Sequence, residues 1–244
     1  MCEIGYKQII KKGLFNHAFQ PIFSLESRTV IGYECLLRPH NQINPETLFD
    51  YAKSLNMLYL LDTASIRKGI EVFSKSVYSD DLLFLNIYPS SLLNSNFQNF
   101  IVEALHKNKF NSDQIVLEIN EKEVVNHKQL TRIIDKLKCV GIKFAIDDLG
   151  SGHSTIGLAQ LIQPNVIKLD RTYANNLESD TTKQREIQSI ISTFANDTLV
   201  ILEGIETSKE LTIAKDLRIE GGQGYYLGKP ASIPQVRLRK RMLS

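Results

Sequence analysis

Short apolar runs rich in β-branched residues recur along this chain, and a longer stretch of helical periodicity separates most of them. The runs are Val30–Leu37, Leu82–Ile87, Ile115–Ile119, Ile142–Ile146, Val166–Leu169 and Thr198–Leu202. They are continuous rather than alternating, the pattern of strands covered on both faces. A further run, Ala18–Phe23, contains Pro21. Proline cannot donate to a ladder, so this run is expected at the start of the sheet or on its margin.

Between the runs the period changes to that of a helix. Asn44 then Pro45 predicts an N-cap with proline in the first turn, and Leu48, Ala52 and Leu55 follow on one face. Ile66, Ile70, Phe73 and Val77 form a second stripe; Phe97, Phe100, Ile101, Ala104 and Leu105 form a third. Leu130, Ile133, Ile134 and Leu137 make the next, closed by Gly141, and Ile187, Ile190, Ile191 and Phe194 follow. Thr207 with Glu210 reads as a capping box opening a helix through Leu211, Ala214 and Leu217, and Ser232 with Gln235 repeats the device. Alternating strands and helices argue for an α/β fold. A closed barrel and an open doubly wound sheet both fit, and the element count over 244 residues favours the barrel.

Composition bounds the function. With 29 Lys and Arg against 27 Asp and Glu, the net charge of +2 does not point to a nucleic-acid polymer or an anionic membrane. The basic run Arg237, Arg239, Lys240, Arg241 reads as a solvated helix end. Cys2, Cys35 and Cys139 share no metal-like spacing and leave one unpaired, as expected of reduced thiols in the cytoplasm. Residues 1–14 do not form a signal peptide, and no apolar stretch is long enough to span a membrane. Residues 1–244 read as a single domain.

A polar residue terminates run after run. Glu34 lies late in the second, Asn86 ends Leu-Leu-Phe-Leu, and Glu118 ends Ile-Val-Leu. Asp147 and Asp148 end Ile-Lys-Phe-Ala-Ile, Lys168 lies near the end of Val-Ile-Lys-Leu, Glu203 ends Leu-Val-Ile-Leu, and Gln223 sits in Gly-Gly-Gln-Gly. In a parallel barrel the C-terminal strand ends open onto one face, where active sites assemble. Carboxylates converging there repel one another unless a cation sits among them. All-oxygen ligation suits Mg²⁺ or Mn²⁺ rather than Zn²⁺, and two such ions form the usual clamp for phosphodiester hydrolysis. Lys168 would place a positive charge near the attacking water, and Arg38 would grip a phosphate.

At these residues the sequence resembles the EAL domain family of cyclic di-GMP-specific phosphodiesterases. The signature Glu-Ala-Leu-x-Arg reads here as Glu34-Cys35-Leu36-Leu37-Arg38. Gln20-Pro21-Ile22, Leu85-Asn86-Ile87, Leu117-Glu118-Ile119-Asn120-Glu121 and Asp147-Asp148-Leu149-Gly150-Ser151-Gly152 match further family stretches. Lys168-Leu169-Asp170-Arg171, Glu203-Gly204-Ile205-Glu206 and Gln223-Gly224-Tyr225-Tyr226 complete the set, from about Phe15 to Pro230. The resemblance implies a TIM-like (β/α)8 barrel with one antiparallel strand, and hydrolysis of cyclic di-GMP to linear pGpG with two Mg²⁺ or Mn²⁺ ions. It implies metal ligation by Glu34, Asn86, Glu118, Asp147, Asp148 and Glu203, with Lys168 holding the water and Glu203 also cast as general base. Glu121 would order the loop after Asp148; Gln20, Leu36 and Arg38 would contact the dinucleotide, and Gln223 would complete the site. A homodimer through the Asp148–His153 loop and the adjoining helix is also implied.

The departures spare every expected ligand. Cys35 replaces an Ala, Tyr88 a Ser, Asn120 a Thr, Leu149 a Phe and His153 a Tyr. Leu149 and His153 bear on rate and regulation more than chemistry. His153 reads as partner-facing, Cys35 as an inert thiol, and Gly150-Ser151-Gly152 as a turn supporting Asp148. Tyr225 and Tyr226 are open to guanine stacking or core packing, and Asp170-Arg171 to an ion pair or a substrate contact. Three functions compete: an active phosphodiesterase, a metal-free cyclic di-GMP receptor, and a protein-docking barrel. A receptor or docking protein is free to lose Glu34, Glu118, Asp148, Lys168 or Glu203; their presence favours the enzyme. With no sensory domain visible, control would come from a regulatory partner, expression or an N-terminal segment outside this sequence.

Overall fold

The computed structural model describes residues 3–40, 43–119, 123, 125–150, 156–194 and 198–233. Eight strands close a barrel in sequence order: β1 (Phe15–Ser24), β2 (Val30–Pro39), β3 (Leu82–Ile87), β4 (Ile115–Ile119), β5 (Lys143–Leu149), β6 (Val166–Leu169), β7 (Leu199–Leu202) and β8 (Gly221–Gly222). β1 runs antiparallel to both β2 and β8, and every other pairing is parallel. The barrel with one antiparallel strand is therefore present, and the open sheet is excluded.

A closed barrel has no margin for the Pro21 strand. Phe19 exchanges backbone bonds with Ala231 at 2.7 and 3.1 Å, and Phe23 pairs with Gly222. Pro21 shares their parity, so its missing N–H falls between them, where the β1–β8 ladder is interrupted. The short β8 forms no apolar run because it is two glycines. A Cβ on Gly222 would lie 2.6 Å from Leu25 Cδ2, so only backbone fits there.

The helices are α1 (Glu3–Lys12), α2 (Pro45–Ser54), α3 (Leu58–Phe73), α4 (Pro89–Leu92), α5 (Phe97–Asn108), α6 (His127–Lys138), α7 (Ile156–Ile162), α8 (Thr181–Phe194) and α9 (Ser208–Asp216). Asn44 caps α2 by accepting from Glu46 N at 2.9 Å, and the Thr207–Glu210 box caps α9. Val77 does not continue the α3 stripe: the helix ends at Phe73, and Val77 is 65% exposed. Sequence reading passed over α1, which buries Tyr6, Ile9 and Ile10 against Phe15, Leu37, Leu48 and Leu61 in a core of its own beside the β1–β2 ribbon. Among the described residues no helix is long and apolar enough to cross a membrane. Glu121, Asn120, His153, Cys2, Gln235 and the Arg237–Arg241 run lie outside the described residues.

Two apolar layers flank the strands. Outward side chains such as Phe19, Leu83, Leu85 and Ile119 join Ile66, Ile70 and Phe73 of α3 and the stripes of α5 and α6. Inside, Ile22, Phe84, Val116, Ala145, Val166 and Ile201 fill the barrel as a plug. β2 contributes Gly32, where a Cβ would lie 2.8 Å from the Phe84 ring. Removing a ring from so closed a layer leaves a cavity that cannot collapse. Phe84→Ala is expected to cost about 3–5 kcal/mol, read as a lowered urea midpoint with unchanged slope.

Candidate metal centre and ligand-binding mouth

Side chains on a strand repeat direction every second residue. Two residues beyond the plug, each strand places a polar group in the barrel mouth: Asn86 above Phe84, Glu118 above Val116, Asp147 above Ala145, Lys168 above Val166 and Glu203 above Ile201. Glu34 stands two beyond Gly32, and Gln20 two before Ile22 because β1 runs the other way.

Lys168 is the hub of this rung. Its Nζ lies 2.6 Å from Glu203 Oε1, 2.8 Å from Glu118 Oε1, 3.1 Å from Asp147 Oδ1 and 3.3 Å from Glu34 Oε2. Burial alone would strip its proton, but Asp147, Glu118, Glu203 and Glu34 outweigh that and hold the ammonium well above the ordinary lysine range. Burial raises the Glu118 carboxyl well above its usual range against the pull of Lys168, and the charges of Glu34 and Asp147 push it the same way as burial. Burial, then Asp147 and Glu34, likewise push Glu203 up to about 8 despite Lys168. Glu34 goes the other way. Its burial is outweighed by Lys168 and by hydrogen bonds from Gln223 and Asn86, which hold it below the carboxylate range.

Glu34 is fixed from two sides. Asn86 Nδ2 donates to its Oε1 at 3.1 Å, and Gln223 Nε2 donates to its Oε2 at 2.6 Å. Gln223 Nε2 also approaches Gln20 Oε1 at 3.2 Å, and Gln20 Nε2 donates to Gly228 O. Both glutamines are buried: the Gln223 amide holds Glu34, and the Gln20 amide, anchored on Gly228 O, accepts from Gln223.

Consecutive strand residues normally face opposite ways, yet Asp147 and Asp148 share the mouth. A register shift between Ile146 and Leu149, with Asp148 in the left-handed region at φ 55, breaks the alternation. Carboxylate oxygens of Asp147, Asp148 and Glu203 lie within 4.8 Å of one another, a group that could hold a metal ion. Gly150 follows at φ 101, where a Cβ would meet the Tyr173 ring at 2.1 Å; the turn supporting Asp148 therefore requires glycine.

Two cavities meet at these acids. One, about 250 Å³, is lined by Leu36, Arg38, Phe49, Asp62, Asn86 and Tyr88. The other, about 300 Å³, is lined by Gln20, Lys168, Arg171, Glu203, Gln223 and Tyr225. Both include Glu34, Asp147 and Asp148. The sequence gives no role to Phe49 or Asp62, and marks Tyr88 only as a departure from the family. The Phe49 and Tyr88 rings are 5.4 Å apart, Lys53 Nζ lies 4.2 Å over Tyr88, and Asp62 accepts Tyr88 N. The Tyr-for-Ser departure was the available signal. Tyr225 and Tyr226 are both exposed, so neither packs in the core. Asp170 accepts Thr172 N at 2.9 Å and makes no ion pair with Arg171 among the described residues. Cys35 is buried with its thiol pushed up, and Leu149 is buried beside Leu169.

The donor set fits divalent cations. With all five carboxylates (Glu34, Glu118, Asp147, Asp148, Glu203) ionised by ligation, the one ammonium leaves four net negative charges, which two divalent ions would balance. Glu118 Oε2 is buried without a hydrogen-bond donor among the described residues. A group with a raised folded-state pKa contributes stability below its unfolded pKa and loses it as pH rises through the folded one. In chelator, the Glu203 contribution should therefore be lost as pH rises from 4.5 to about 8. Melting scans should show Mg²⁺ or Mn²⁺ raising Tm more at pH 8.5 than at pH 5, because ligation displaces the proton. Equal shifts at both pH values would contradict a carboxylate-held ion.

The EAL domain family model matches residues 6–230. The chain is 27% identical over 236 residues to the probable cyclic di-GMP phosphodiesterase PdeN of Escherichia coli, covering 91% of this chain and 44% of that protein. It is 28% identical over 239 residues to the cyclic di-GMP phosphodiesterase PdeA of Borreliella burgdorferi, covering 92% and 35%. It thus spans less than half the length of these relatives. A standalone EAL protein from Vibrio cholerae with cyclic di-GMP bound superimposes at TM-score 0.79 and 26% identity, over 91% of this chain and 97% of that one. BlrP1 of Klebsiella pneumoniae, in a manganese and cyclic di-GMP complex, gives 0.83 and 25% identity, over 89% and 56%. With its ordered motifs on one barrel mouth and the match running over nearly its whole length, the chain belongs to the EAL domain family.

Proposed function

We propose that this chain hydrolyses cyclic di-GMP to linear pGpG, using two Mg²⁺ or Mn²⁺ ions at the barrel mouth. The observation that carries this reading is the pair of similar cavities meeting at Glu34, Asp147 and Asp148. A cyclic dinucleotide has two equivalent halves, and the arrangement offers a pocket to each with the acidic cluster against the phosphodiester between them. The names of the relatives and the ligands of the BlrP1 and Vibrio complexes support the same chemistry.

In this proposal Glu34, Asn86, Glu118, Asp147, Asp148 and Glu203 hold the ions. Once bound, the ions would supply Lewis acidity and an acidified water. The chain's own groups do the rest. Gln20 and Gln223 keep Glu34 in its ligating orientation. Lys168, which damps the repulsion among four acids, would orient the attacking water, and Glu203 beside it would accept the water's proton. Arg38, exposed at the end of β2, grips a phosphate beside Leu36. Glu121 keeps the positioning role that the resemblance implies. The reaction is placed in the cytoplasm, in keeping with Cys35 and Cys139 as free thiols. Ile156 and Leu161, exposed on α7 beside the Asp148 turn, support a homodimer through that helix, and a regulatory partner would act on the same face.

Purified protein with Mg²⁺ or Mn²⁺ should convert cyclic di-GMP to pGpG, followed by chromatography. Partners one layer behind a metal ligand are worth about 10–100-fold, so Gln223→Leu should fall in that range. Glu34→Gln and Glu203→Gln should lose more than about 100-fold. Tight binding without turnover in either metal would replace the enzyme with a receptor; neither binding nor turnover would leave a docking barrel. Sedimentation should show a dimer that Leu161→Glu dissociates.

A further inference from the structure

A separate cavity of about 320 Å³ lies outside the barrel mouth, between α9, the β1–β2 turn and the loop after β8. Its two ends differ. Arg28, in the turn after β1, and Lys215, in the last turn of α9, both belong to the end of the wall where β1 stops and β8 starts, and neither forms an ion pair among the described residues. Arg28 N donates to Ser24 O, which holds the turn against the groove. At the other end stands Tyr226, 46% exposed, whose N–H donates to Ile205 O just before α9 begins. Ser208 and Thr212 line the helix side, the Thr212 hydroxyl donating to Ser208 O. From Ser208 to Lys215 the helix rises about 10 Å. The floor is apolar, with Leu25 and Leu227 closing over Gly222.

We infer that this groove binds a small anion carrying a flat ring, of the mononucleotide class, with the ring against Tyr226 and the phosphate between Arg28 and Lys215. The α9 N-terminus is not the anion site, because the Glu210 carboxylate already accepts Glu206 N and Thr207 N there. The chain beyond Ile233 is a poor occupant, since Arg237, Arg239, Lys240 and Arg241 carry the same sign as the groove. The site is linked to the mouth. Gly222 adjoins Gln223, which holds Glu34, and Ile205, two residues from Glu203, packs on Gly222.

Calorimetric titration of the full chain in EDTA tests this without metal or catalysis, so it stands or falls apart from the hydrolysis proposal. GMP should saturate one site per chain that excess cyclic di-GMP does not displace, with guanosine and inorganic phosphate each binding more weakly. Arg28→Ala and Lys215→Ala should each weaken GMP about tenfold, and Tyr226→Ala at least as much. Tyr225→Ala, on the catalytic side of the same loop, should leave the affinity unchanged. These side chains are at the surface, so folding is checked by an unchanged circular dichroism melt. Absence of saturation, saturation that survives all three substitutions, or phosphate binding as tightly as GMP would overturn the assignment.

Discussion

The mouth of this barrel is organised by one buried ammonium. Four carboxylates within 3.3 Å of Lys168 Nζ could not share so small a volume otherwise, since like charges brought together out of water drive each other to protonate. Lys168 offsets only one of them. The rest of the imbalance appears as raised Glu118 and Glu203 carboxyls, while Glu34, given extra donors by Asn86 and Gln223, stays ionised. Neighbours of one chemical type are thereby divided into different protonation behaviours by their second layer of contacts.

That hub stands on an apolar plug, and the two are adjacent rungs of one ladder. The strand period of two makes the placement of Glu118, Lys168 and Glu203 a consequence of Val116, Val166 and Ile201 filling the layer below. A one-residue slip in any strand would send its polar group outward and an apolar one into the mouth, so the packing that closes the barrel also sets the register of the site. At the mouth β5 breaks the period, and it does so where two carboxylates are needed side by side. The left-handed Asp148 carries the backbone cost of that bulge, and Asp is among the residues that tolerate it best.

Much of this was legible from the chain. Six strands follow from continuous apolar runs, and the polar residue near each run's end marks the mouth directly. What could not be read has a physical reason in each case. β8 is two glycines, chosen for backbone contact with Leu25 and Ile201, and so carries no hydrophobic signal. Pro21 pointed to the start of the sheet or its margin; it lies in the first strand, and sequence cannot show that its missing N–H there faces a break in the ladder. Val77 matched a helical spacing that α3 does not reach. Gln20 and Gln223 line the mouth, and their donors also close on Gly228 and Glu34, a three-body arrangement that no local spacing encodes.

The short β8 also decides how the two faces of this wall are connected. A strand of ordinary side chains would insulate the mouth from the outer groove by a layer of packing. Here Gly222 lets Leu25, Ile205 and Leu227 press against the backbone from outside, one residue from the glutamine that positions Glu34. Interiors packed this closely transmit small displacements rather than absorbing them. A shift of Leu227 or Ile205 would therefore reach Gln223 through backbone contacts, and Gln223 sits 2.6 Å from the one carboxylate of the hub held below its ordinary range. The same glycines that close the barrel make its eighth strand the thinnest part of the wall, and the place where binding outside would be felt first at the acids inside.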